Sequence, residues 1–137
     1  LTDWGLDADL RDRAFGASKE LFGLPEKAKE EFGRLNPETN TGYAPWGHES
    51  LNRRRAPDLK EAFNVRKRGV HANDFSGCPA GFSATSQELW EVTEAAARRY
   101  CLACALALGL EDNYFARSMD VFDQSTLRFL HYPPCDL

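Results

Sequence analysis

Residues 84 to 108 constrain this chain most, because they read as one long helix. Thr85 and Glu88 have the spacing of a capping box at its start, and Gly109 stands where a C-terminal cap belongs. The first half has a polar side with Glu91, Glu94 and Arg98, the last two spaced to pair as i,i+4 neighbours. The second half, Tyr100 to Leu108, is apolar all round. A helix of that kind is expected to be buried on every side, so the rest of the fold has to surround it. With 137 residues, 42% of them hydrophobic, the chain has material for one core without disulfide or metal staples.

The remaining elements are shorter. Residues 8 to 22 carry Leu10, Ala14, Ala17 and Leu21 at helical spacing, with Phe15 and Phe22 widening the apolar stripe. Asp7 or Asp9 suits the cap, and Gly23 suits the end. A short second helix is expected from Leu24-Pro25, with Lys27 and Glu31 four apart and Phe32-Gly33 closing it. Residues 33 to 58 are dense in turn formers and read as irregular. A strand is expected at 59 to 68, with Leu59, Phe63 and Val65 on one face and Lys60, Asn64, Arg66 and Arg68 on a wet face. Residues 69 to 82 read as a loop. A short helix at 111 to 119 precedes a strand at 125 to 132, where Leu127, Phe129 and His131 alternate with Arg128, Leu130 and Tyr132.

Composition excludes several functions. The net charge of -4 argues against binding nucleic acid through bulk electrostatics, and no apolar run reaches the length of a membrane span. No signal peptide is visible, and the four cysteines form no dense framework, so reduced thiols and a cytoplasmic setting are expected. The three histidines, His48, His71 and His131, lack both a His-x-Asp/Glu partner and an HExxH pattern, so no metal ligand is assigned. His131 reads as a hydrogen-bonded packing residue, His71 as a loop residue two before Asn73, and His48 as solvent-facing. Cys101 and Cys104 have CxxC spacing, but their place deep in an apolar helix favours buried small hydrophobes over a reactive dithiol or a zinc site. Arg53-Arg54-Arg55 has Glu49, Asp58 and Glu61 nearby and reads as a solvated loop, with an anionic substrate as the alternative.

A final apolar strand with few partners exposes unpaired backbone groups, which is an aggregation hazard. The expectation is therefore a sheet that continues past Leu137, and a chain that is part of a larger domain.

Five segments in order resemble the N-terminal region of the 2-oxoglutarate/Fe(II)-dependent dioxygenases of the isopenicillin N synthase-like group. They are Phe22-Gly23-Leu24-Pro25-Glu26-Lys27-Ala28-Lys29; Thr41-Gly42-Tyr43 followed by Glu49; Asp58-Leu59-Lys60-Glu61-Ala62-Phe63; the helix end Leu106-Ala107-Leu108-Gly109-Leu110; and the strand from Leu127 to Cys135. The resemblance implies an α+β fold, with a helical N-terminal domain at 1–122 flanking the first strands of an incomplete double-stranded β-helix, or jelly-roll, at 123–137. It implies a parent enzyme that uses Fe(II), 2-oxoglutarate and O2 to hydroxylate or desaturate a small molecule. In that family the iron is held by a His-x-Asp pair and a later His, and an Arg-x-Ser pair grips the co-substrate. None of these elements lies in this sequence, so this chain by itself is expected to have no catalytic residue and to bind no iron.

Two residues carry over through the resemblance. Tyr132 matches the tyrosine of the family's YPP strand, which in several members hydrogen-bonds a carboxylate of co-substrate or substrate; an ordinary strand tyrosine is the alternative. Tyr43 lies in the Gly-Tyr segment that borders the substrate pocket in some members, with packing as the alternative. Leu130 replaces an Asn common in plant members, which puts a plant-like co-substrate geometry in doubt. Two readings of other classes stay open: a non-catalytic helical module that binds a partner, and a thiol or zinc protein built on Cys101 and Cys104.

Overall fold

The computed structural model describes residues 4–31, 35–50, 54, 56–66, 73–121 and 125–134, with the backbone alone at 120 and 121. Helix α1 (Ala8–Phe22) starts at Asp7, whose carboxylate accepts from the Leu10 N–H at 2.7 Å and satisfies one of the unpaired donors of the first turn. It ends at Gly23, which has an ordinary right-handed φ of -74. Glycine is needed there for a different reason: a Cβ would lie 2.8 Å from the Lys19 carbonyl oxygen. Pro25 then sits at the cap of the one-turn helix α2 (Glu26–Glu30). The expected Phe32-Gly33 closure lies outside the described residues.

Three strands form one antiparallel sheet in the order β1 (Gly42–Ala44), β2 (Glu61–Val65), β3 (Leu127–His131). In β1, Tyr43 faces Phe63, and in β3, Phe129 faces Phe63 from the other side. The sequence reading missed β1. Three residues among turn formers carry no strand period, and the strand exists because β2 supplies its ladder.

The core lies between one sheet face and the two long helices. Leu21 and Phe22 of α1 meet Tyr43, Phe63, Val65 and Phe129 of the sheet, together with Phe82 and Trp90 of α3 (Phe82–Ala107). Phe82 is the pivot: its ring meets Phe63 edge-on at 5.2 Å and Phe129 at 5.1 Å.

Several boundaries and faces differ from expectation. Helix α3 starts at Phe82 behind a left-handed Gly81 (φ 85) with no side-chain cap, so Thr85 is buried inside the first turn and Glu88 turns outward to Arg13. Its C-terminus is as expected: Gly109 (φ 68) donates to Leu106 O and Leu110 donates to Ala105 O, the paired bonds of a Schellman cap. The anticipated burial of its second half is not observed. Ala105 is buried, whereas Tyr100, Leu106 and Leu108 are more than half exposed. The reason is that α1 packs along one side of α3, and no other described long element covers the rest.

Strand β2 is shorter than expected. Leu59 lies outside it and is exposed, while all five residues of β2 are buried on both faces. Asn64, expected to be wet, is fully buried because Asn40 and Arg128 reach it. Phe15 is 64% exposed rather than part of the stripe, and borders a groove of about 270 Å³ beside β3. After a turn, α4 (Ala116–Val121) replaces the helix expected at 111 to 119. No described helix is long and apolar enough to cross a membrane.

Candidate functional site

Strand alternation places Glu61 in phase with Phe63 and Val65, on the core side of the sheet. A carboxylate there costs heavily unless it is paired and hydrogen-bonded. It is both. Lys29 Nζ donates to Glu61 Oε2 at 2.7 Å, and Tyr43 Oη donates to the same oxygen at 2.5 Å. His131 Nδ1 lies 2.7 Å from Oε1. Lys29 also donates to the Phe22 carbonyl at 3.1 Å, and the Phe22 ring stacks on His131 at 5.4 Å. The end of α1, α2 and all three strands therefore meet at one carboxylate.

The electrostatics fix the protonation states. Burial works to raise the Glu61 pKa, but hydrogen bonds from Lys29, Tyr43 and His131 outweigh it and hold the group below its ordinary 4.5. Burial first, and then the adjacent carboxylate, push ionisation of Tyr43 far above the ordinary phenol range. Glu61 is thus a carboxylate and Tyr43 a donor near neutral pH. A carboxylate opposite Nδ1 requires the proton on that nitrogen of His131.

The other sheet face carries a second polar chain. Arg128 Nε donates to Asn64 Oδ1 at 2.8 Å, and its Nη1 pairs with Glu49 at 3.0 Å. Lys60 joins the same Glu49 at 3.0 Å. Asn64 donates onward to Asn40 at 2.9 Å, and Asn73 bonds the Asn64 carbonyl at 2.7 Å. By alternation Arg128 and Leu130 share this side of β3, opposite His131, and Tyr132 follows directly after the strand's last residue. Leu130 and Tyr132 are exposed, Tyr132 at 64%.

The residues singled out from sequence thus separate. Tyr43 is 1% exposed with its hydroxyl on Glu61, whereas Tyr132 stands open to solvent just past the end of β3. His131 is a hydrogen-bonded, ring-stacked residue, and His48 is exposed in its loop. His71, Arg53, Arg55 and Cys135 lie outside the described residues; Arg54 is exposed. Cys101 and Cys104 are free and half-buried rather than deep, because α3 is open on that side. Cys78 is also free, and burial pushes its thiol up to about 11. Among the described residues no group of three His, Cys, Asp or Glu side chains converges as an iron site would need. Sequence reasoning missed Glu61 and Lys29 as a hub. A charge on the apolar phase of β2 was the available signal.

Comparison with known proteins gives this arrangement a context. The family described as "non-haem dioxygenase in morphine synthesis N-terminal" matches residues 1–81. A full-length Neurospora crassa protein, solved in complex with alpha-KG, is 31% identical, with a TM-score of 0.78 over 94% of this chain and 42% of its own. A Caulobacter crescentus protein provisionally assigned to the 2OG-Fe(II) oxygenase family is 26% identical, with a TM-score of 0.76 over 98% of this chain and 47% of its own. JOX2, solved with 2OG, Fe and JA, shares the fold at a TM-score of 0.77 and 22% identity, over 98% of this chain and 40% of its own. This chain spans less than half the length of each of these solved structures. The comparison with curated proteins finds no match. On the family match over residues 1–81, more than half of its length, the chain belongs to the non-haem dioxygenase N-terminal family.

Proposed function

We propose that this chain is the N-terminal portion of a non-haem Fe(II)/2-oxoglutarate-dependent oxygenase that hydroxylates or desaturates a small molecule. Residues 1–122 form its N-terminal domain, and 123–137 begin the jelly-roll. The reading rests on the match of nearly the whole chain, at 31% identity, to less than half of a relative solved with alpha-KG. The bare surfaces agree with it. The second half of α3 offers Tyr100, Leu102, Leu106 and Leu108, and β3 has no described neighbour on the edge away from β2. Apolar surface and an open strand edge of this extent mark a place where more protein packs.

In this reading the chain buttresses one side of the barrel and supplies part of the pocket wall. Tyr132 contacts a carboxylate of 2-oxoglutarate or substrate, and Tyr43 stands in the wall bordering the substrate. Iron, and the gripping Arg-x-Ser pair, come from residues beyond these 137. The setting is cytoplasmic. The same bare face also favours a second reading, a non-catalytic module that docks a protein partner.

The test uses the longer protein that carries this chain, supplied with Fe(II), 2-oxoglutarate and O2. Succinate release from 2-oxoglutarate is expected. A longer protein that binds neither iron nor 2-oxoglutarate overturns the enzyme reading, as does tight stoichiometric Fe(II) binding by the 137 residues alone.

A further inference from the structure

Strand β3 is held against β2 by two polar cross-strand pairs, one on each face. Glu61 and His131 are directly opposite in the register, as are Asn64 and Arg128. On the core side His131 Nδ1 meets Glu61 at 2.7 Å; on the far side Arg128 Nε meets Asn64 at 2.8 Å. Both acceptors sit in β2 and are buried, Glu61 at 5% and Asn64 at 0%. Each is anchored independently: Glu61 by Lys29 and Tyr43, Asn64 by Asn40.

A one-residue slip of a strand moves every side chain to the opposite face. Here the slip would carry His131 away from Glu61 and Arg128 away from Asn64 at once, leaving a buried carboxylate short of a donor and a buried amide short of a partner. It would also shift the point from which Tyr132 leaves the strand. Apolar contacts specify this register less sharply, since Leu127 is half-buried, Leu130 is exposed, and Phe129 is the buried apolar residue of β3.

We infer that His131, held by Glu61, is a positioning residue for Tyr132: it fixes the last residue of β3, from which the exposed phenol of the next residue is presented. The inference rests on the proposed role of Tyr132 toward a 2-oxoglutarate or substrate carboxylate. Arg128 performs the companion task from the other face, four residues before Tyr132.

The experiment uses the full-length oxygenase carrying this chain. In the full-length protein, Tyr132→Phe is expected to raise the KM for 2-oxoglutarate about tenfold, the order expected for a lost hydrogen bond to a charged group, with a smaller effect on kcat. His131→Phe, with similar ring size and no donor, is expected to raise it several-fold. The double variant should be no worse than Tyr132→Phe, because the two side chains act through one contact. His131→Gln, whose amide still donates to Glu61, should return KM to within about twofold of the parent protein. In the same full-length protein, imidazole 15N shifts of His131 at neutral pH should report the proton on Nδ1.

An unchanged KM in His131→Phe, or effects of His131→Phe and Tyr132→Phe that multiply, would overturn the positioning role. So would a proton found on Nε2 in place of Nδ1. An unchanged KM in Tyr132→Phe overturns the contact and the positioning role together. It leaves the oxygenase reading standing, since that is decided separately by succinate release.

Discussion

The two halves of α3 invert what their sequences promise. The half with the polar side, Phe82 to Arg99, supplies the buried residues Phe82, Thr85, Ser86 and Trp90. The half that is apolar all round contributes Ala105 alone to the interior and leaves Tyr100, Leu102, Leu106 and Leu108 exposed. Hydrophobicity of a helix states how much surface wants cover. Where the cover comes from is decided by the other elements, and in these 137 residues the sheet and α1 reach the first half. An exposed leucine by itself needs no explanation, but a run of them on one helix does.

The contrast breaks most readily by truncation at each end. Phe82→Ala should destabilise the 137-residue chain by about 3–5 kcal/mol, since it removes a fully buried ring touching Phe63, Phe75 and Phe129. Leu106→Ala, at the open end, should stay within about 0.5 kcal/mol. Urea unfolding followed by tryptophan fluorescence measures both; equal losses at the two sites would mean that the second half is covered after all.

A comparable loss is expected at the polar end of the same core. Glu61→Gln leaves Lys29 buried without its counter-ion and should cost about 3–5 kcal/mol. The pH dependence has a definite sign. Because the folded pKa of Glu61 lies below its unfolded value of 4.5, its contribution is fully present above 4.5 and fades as pH falls through the lower folded value. Thermal unfolding from pH 7 to 3 should show this acid limb in the parent chain and a shallower one in Glu61→Gln. An unchanged acid limb would mean that other carboxylates govern acid unfolding.

The smallest effect belongs to the bridge between α1 and the covered half of α3. Arg13 meets Glu88 through two hydrogen bonds, 2.8 and 3.0 Å long, yet both side chains are well exposed. Arg13→Ala should cost about 0.2–1 kcal/mol, and less in 1 M salt. A larger loss would show that this bridge, rather than the Phe82 cluster, sets the angle between the helices.

Much of the local structure was legible because it obeys local rules. Asp7 caps α1, and Gly109 with Leu110 closes α3, since unpaired helix-end groups demand partners within a few residues. The family likeness was legible too, from short segments in order. What failed to show was whatever depends on distant residues. Thr85 and Glu88 have cap spacing, but Gly81 starts the helix earlier, because placing Phe82 in the core outweighs one side-chain hydrogen bond. Strand β1 has no period of its own and owes its form to β2. The Glu61 hub joins residues 29, 43, 61 and 131, whose separations carry no pattern.

The sequence by itself determined the two long helices, the start of α1 and the C-terminal end of α3, the alternation of β3 and membership in the dioxygenase N-terminal family. These follow from period, capping chemistry and short ordered motifs. Only the tertiary structure decided that Glu61 is a buried carboxylate with three partners, that Tyr43 turns inward while Tyr132 stays outside, and that the most apolar stretch of the chain lies open. Burial is a property of what packs against a residue, and a side chain carries no record of its neighbours.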